Sequence, residues 1–94
     1  MKVIWSRRAV RHLAELRAYI AKDSEQNAAI VAERILQSVN LLQTQPSMGR
    51  AGRVLGTREL VVPDTPFVIP YRVRNDRLEL IAVFRGRRKW PVKF

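Results

Sequence analysis

The sequence predicts an α+β domain in which an N-terminal strand and an antiparallel helical hairpin pack on a small antiparallel β-sheet. Three observations carry this prediction. The first half holds two consecutive amphipathic stretches of helical period, and the second half holds short β-branched and aromatic segments separated by turn signals. The length of 94 residues, 47% of them hydrophobic, suits one domain, residues 1–94, with one modest core.

The elements follow in order. Lys2 to Trp5 ("KVIW") has extended composition and is followed by Ser6, a favourable helix N-cap, so it reads as a first strand. From Ser6 onward Ala9, Leu13, Leu16 and Ile20 recur at helical spacing, with Val10 widening the stripe, while Arg7, Arg8, Arg11 and Arg17 fall largely outside it. Asp23 or Ser24 offers a fresh cap. Ala28, Val31, Ala32, Ile35, Val39 and Leu42 then form a second stripe that ends at Gln45-Pro46. Helices joined so tightly form an antiparallel hairpin.

Pro46 to Thr57 carries three of the four glycines with Arg50 and Arg53 between them, and reads as a basic loop. Thr57 to Val62, Phe67 to Val73 and Arg77 to Phe84 have strand composition, with turn signals at Pro63 to Pro66 and at Asn75-Asp76. A two-residue loop at Asn75-Asp76 fixes the pairing: Arg74 faces Arg77, Val73 faces Leu78, Arg72 faces Glu79, Tyr71 faces Leu80. The same count puts Phe67, Ile69, Tyr71, Val73, Leu78, Leu80, Ala82 and Phe84 on the face packed on the helices. Val68, Arg72, Glu79, Ile81, Val83 and Arg85 share the other. Pro70 lacks a ladder donor and requires a bulge or an outward-pointing position.

Composition narrows the chemistry. There are no cysteines and one histidine, so disulfides, thiolate catalysis, a Cys-based zinc site and a His-rich metal site are excluded, and neither a metal nor a cofactor is expected. No apolar run approaches the roughly 18 residues of a membrane span and no secretory pattern opens the chain, so a cytoplasmic protein without a membrane partner is expected. The net charge of +10 calls for an anionic partner. Arginine outnumbers lysine 14 to 4, which favours bidentate binding of phosphate or carboxylate.

The densest basic stretch is "FRGRRKWPVKF", Phe84 to Phe94, which holds five basic residues and no acid. Arg72 and Arg85, placed on one sheet face by the register, could hold a phosphate; alternatively Arg72 pairs across the strands with Glu79. Trp90 is either a stacking platform beside the arginines or a plug pinning the chain end to the core, and His12 is expected to face solvent. RNA cleavage through the 2′-hydroxyl would need a base, an acid and a cation for the phosphorane, and arginine supplies only the cation. The candidate proton carriers are Tyr71, placed on the core face, and Glu59, expected as a surface carboxylate paired with Arg58.

The ordered set "W-S-x-x-A", "L-x-x-x-P-x-x-G-R", "G-T-R-E-L-V", "P-Y-R-V" and "V-F-R-G-R-R-K-W-P" resembles the RelE/ParE superfamily of bacterial toxins, most closely its ParE-type branch. The resemblance covers nearly the whole chain. It implies the toxin of a type II toxin–antitoxin pair, neutralised by a cognate antitoxin whose acidic, disordered tail folds along it, with operator DNA bound only through the antitoxin. It implies DNA gyrase as the target of a ParE-like member, with Arg85, Arg87, Arg88 and Trp90 as the toxic surface. Arg7, Arg11, Arg53 and Arg58 are then the expected antitoxin contacts. A RelE-like member would instead cut mRNA on the ribosome, with Arg72 and Arg85 stabilising the phosphorane. Arg85 stands where many nuclease relatives carry histidine, which favours the binding toxin over the enzyme. A non-toxic basic nucleic-acid-binding module is the third reading.

Overall fold

The computed structural model describes residues 1–87, 90, 91, 93 and 94. Its elements are strand β1 (Lys2–Trp5), helices α1 (Arg7–Ala21) and α2 (Glu25–Thr44), and strands β2 (Arg50–Ala51), β3 (Arg58–Val61), β4 (Phe67–Arg74), β5 (Arg77–Leu80) and β6 (Phe84–Arg85). Ser6 and Ser24 cap the two helices, each accepting a backbone N–H in the first turn, from Ala9 at 3.0 Å and from Asn27 at 3.1 Å. The helices pack on each other as a hairpin. Ala9 and Leu16 of α1, with Ile35, Val39 and Leu42 of α2, bury their side chains against Leu60, Ile69, Tyr71, Leu78 and Leu80. Burying each large aliphatic is worth about 1.5–3 kcal/mol. Val10 is exposed, because one residue beyond Ala9 turns about 100° away from the buried line.

The sheet order is β1-β5-β4-β3-β2, with β6 pairing β4. Two readings are corrected. The sheet is mixed, because β1 runs parallel to β5, and the basic loop contains a two-residue strand, β2, antiparallel to β3. The β4–β5 register is the one counted from the turn, and Asn75 and Asp76 adopt φ of 54° and 59°, the left-handed pair of a type I′ hairpin.

The register does not continue past Leu80. Tyr71 faces Leu80, yet Val68 faces Phe84 and Phe67 faces Arg85, so one extra residue enters the strand opposite Ile69. This bulge sits beside Pro70. Ile81 N–H still donates to Pro70 O at 2.9 Å, but Pro70 has no N–H to return, and the Ile81 carbonyl is satisfied by the Ser6 hydroxyl at 2.7 Å. The slip reverses the faces beyond it. Val83 joins the main core, whereas Phe84 joins Ile81, Ala82 and the half-buried Trp90 in a second cluster on the opposite face. The expected placement of Val83 and Phe84 is thereby exchanged.

The start of the β2 loop is fixed by Tyr71, whose buried hydroxyl donates to Pro46 O and accepts from Gly49 N–H, both at 2.8 Å. A Cβ on Gly49 would lie 2.6 Å from the Tyr71 ring and hydroxyl. Gly49→Ala should therefore cost roughly 1–3 kcal/mol through overpacking. Tyr71→Phe should cost about 1–3 kcal/mol by orphaning two backbone groups. Chemical denaturation measures both, with Val10→Ala expected to stay within about 0.5 kcal/mol of wild type.

Candidate functional site

The face of the sheet away from the helices is not an open arginine-lined surface. Val68, Pro70, Ile81, Ala82 and Phe84 are buried there, and Trp90 packs against the cluster of Ile81, Ala82 and Phe84. Gly86 N–H donates to Pro66 O at 2.9 Å, closing β6 on β4 before the chain turns. Trp90 then packs on Phe84, ring centroids 4.9 Å apart and tilted by 54°, and its Nε1 donates to Arg85 O at 3.2 Å. Phe94 stacks on the same Phe84 ring at 6.2 Å. Trp90 thus packs on the second cluster rather than the main core, and stays half-buried.

His12 is half-buried rather than solvent-facing. The bulge turns the Val83 N–H away from β4 toward α1, where His12 Nδ1 accepts it at 3.1 Å, and the His12 ring lies 5.3 Å from Phe84. The acceptor role requires a neutral imidazole protonated on Nε2.

Glu59 is the group that sequence reasoning misplaced most. It is 2% exposed, not a surface carboxylate, and its partners are not Arg58. Its Oε1 accepts Arg50 Nε and Nη2 at 3.2 and 3.0 Å; its Oε2 accepts the Arg53 backbone N–H at 2.7 Å and lies 3.5 Å from Arg53 Nε. Pairing puts Glu59 opposite both Pro70 and Arg50, so it points to the C-terminal side of the sheet. A buried carboxylate is tolerable only with this many donors. The signal available in the sequence was three arginines within nine residues of a lone acid.

The expected site arginines have separate fates. Arg72 Nε donates to Glu79 at 2.8 Å and Arg74 joins the same carboxylate, so Arg72 is held in the cross-strand pair. Arg85 is exposed, lies 5.4 Å above the Phe67 ring, and lines a cleft of about 600 Å³ beside α1 with His12, Glu15 and Tyr19. The slipped register puts Arg72 and Arg85 on opposite faces, so the expected shared phosphate seat is not formed. Arg87 is exposed at the turn, and Arg88 lies outside the described residues. Arg58 Nη1 donates to Gly49 O at 2.8 Å and to Ser47 O at 3.3 Å, while Arg53 Nη2 donates to Gly86 O at 3.2 Å. Arg7 and Arg11 stand exposed on α1, Arg11 within 3.5 Å of Glu15.

Two titrations are displaced. The hydrogen bond from Arg72, aided by Arg74, holds the Glu79 carboxyl below its ordinary value against a smaller opposing cost of burial. Burial raises the Tyr71 phenol, opposed by the Gly49 N–H bond and the Arg58 charge. Among the described residues no three histidines, cysteines or carboxylates are grouped to hold a metal ion, and no helix is long and apolar enough to cross a membrane.

Removing Glu59 leaves two half-exposed guanidinium groups that water can reach, so Glu59→Ala should cost about 2–3 kcal/mol in thermal or denaturant unfolding. Glu79, followed by carboxyl NMR, should titrate below 4.5, and Arg72→Ala should return it toward that ordinary value. Because its folded value is depressed, Glu79 stabilises the fold above the ordinary carboxylate range, and this contribution is lost as pH falls through the lowered value.

Comparison with known proteins agrees with this architecture. The family described as "ParE toxin of type II toxin-antitoxin system, parDE" matches residues 3–90. The Sinorhizobium fredii protein named "Putative toxin Y4kP" is 43% identical over 90 residues, covering 96% of this chain and 93% of that protein. A chain of the "Chromosomal ParDE TA system from P. aeruginosa" superposes with a TM-score of 0.81 at 26% identity, over 90% of this chain and 95% of the other. The chain with this slipped sheet belongs to the ParE toxin family of type II toxin–antitoxin systems.

Proposed function

We propose that this chain inhibits growth by binding DNA gyrase through its C-terminal segment, without covalent chemistry of its own. A cognate antitoxin with an acidic, disordered tail neutralises it in the cytoplasm, and operator DNA is met only through that antitoxin. The observation that carries the target reading is the end of β6 with the turn after it. It offers Arg85 and Arg87 to solvent at a turn, beside a tryptophan already fixed in place.

The nuclease reading has less support. Arg72 is committed to Glu79, Arg85 lies across the sheet from it, and the Tyr71 hydroxyl is enclosed between Pro46 and Gly49. Charge supports the antitoxin reading, since +10 favours a carboxylate-rich tail that folds on contact. Of the four arginines expected to meet it, Arg7 and Arg11 are the exposed helical pair, whereas Arg53 and Arg58 are engaged within the chain.

The test is a supercoiling assay with purified gyrase and the isolated chain. The wild-type chain should inhibit, and Arg85→Ala, Arg87→Ala and Arg88→Ala combined should weaken inhibition at least about a hundredfold while antitoxin binding survives. Undiminished inhibition by the triple variant would overturn the assigned surface. A folded wild-type chain without effect on gyrase, which cleaves transcripts on the ribosome until Arg72 is changed to alanine, would establish the RelE-like enzyme instead.

A further inference from the structure

Between Gly86 and the chain end, no described residue lies in a helix or strand, and Gly86 and Trp90 are both met by the side chain of Arg53. Among the described residues, Arg53 joins three separate parts of the site. Its backbone N–H and Nε engage Glu59 Oε2, Nη2 donates to Gly86 O at 3.2 Å, and its guanidinium carbon lies 3.7 Å from the centroid of the Trp90 ring. Trp90 is thereby held by Arg53 and by Phe84, with its own N–H spent on Arg85 O. An unbroken series of contacts runs from a carboxylate 2% exposed, through one arginine, to Gly86 and Trp90, which flank the basic stretch in the sequence.

We infer that Arg53, fixed by Glu59, is the positioning residue that sets the C-terminal segment in its target-binding shape, rather than an antitoxin contact. The inference rests on the reading that this segment meets gyrase. The chemistry suits arginine and no other cation. A planar guanidinium can place its face against an indole while its in-plane N–H groups reach a carbonyl and a carboxylate, whereas an ammonium group offers a point charge and no face. Glu59 supplies the fixed end, since its side chain is nearly inaccessible and already bound by Arg50.

The experiment compares wild type with Arg53→Ala, Trp90→Ala and the double variant. Its first readout is the pair of indole N–H resonances of the 15N-labelled chain. The Trp5 resonance reports an intact core and should not move. In Arg53→Ala the Trp90 resonance should shift toward its unfolded position and exchange with solvent at least about tenfold faster. The second readout is supercoiling inhibition. Each single variant should weaken it several-fold to about tenfold, and the double variant no more than the weaker single one, as for residues acting as a unit. An unmoved Trp90 resonance in Arg53→Ala would overturn the inference, and so would additive losses in the double variant. The indole readout does not involve gyrase. A wild-type chain that fails to inhibit would refute the target reading, while the resonances still decide whether Arg53 holds Trp90.

Discussion

Pro70 stands in the middle of β4, in a rung of the ladder where a strand residue would return an N–H to Ile81. It cannot, and the carbonyl left over is taken by the Ser6 hydroxyl, the same oxygen that caps α1. One missing donor therefore ties the first helix to the far strand of the hairpin. At the same place the strand admits an extra residue, and every side chain beyond it changes face. Val83 enters the helical core, Phe84 leaves it, the Val83 N–H turns to His12, and Arg85 ends beside α1 instead of beside Arg72.

The exchange gives the sheet two covered faces. Helices α1 and α2 cover one, and the C-terminal segment, through Trp90 and Phe94 on Phe84, covers part of the other. Apolar cover on that second face comes with a buried charge, Glu59, which gathers Arg50 and Arg53 from the loop above it. Several of the chain's arginines are thus spent on holding loops together through carbonyls, a carboxylate and an aromatic ring. Among the described residues, exposed basic groups are densest on α1, with Arg85 and Arg87 also exposed at the end of β6 and the turn after it.

Much of this was legible in the sequence, and the illegible parts share a cause. Both helices, the Ser6 cap and the Asn75-Asp76 hairpin follow from local pattern, because period, capping oxygen and turn chemistry are set by neighbours in the chain; the second cap is open between Asp23 and Ser24 in the sequence, and Ser24 provides it. Pro70 announced an irregularity, but a missing donor does not say whether the partner strand will bulge or end, so Val83, Phe84 and Arg85 were assigned by an unbroken count. Glu59 was misread because its donors lie in a glycine-rich loop without periodicity, and the parallel pairing of β1 with β5 joins residues at opposite ends of the chain. The size of Trp90 suits it to packing, but its Arg53 partner is a tertiary fact.

For the proposed function, Gly86 and Trp90 flank the basic stretch of the sequence and are tied to the sheet through Arg53 and Phe84. The most direct measurement is hydrogen–deuterium exchange of the chain with and without saturating purified gyrase. The account predicts slowed exchange in the peptide spanning 84–94, with the solvent face of α2 around Ile30 and Leu36 unchanged. Protection confined to α2, or no protection anywhere, would contradict it.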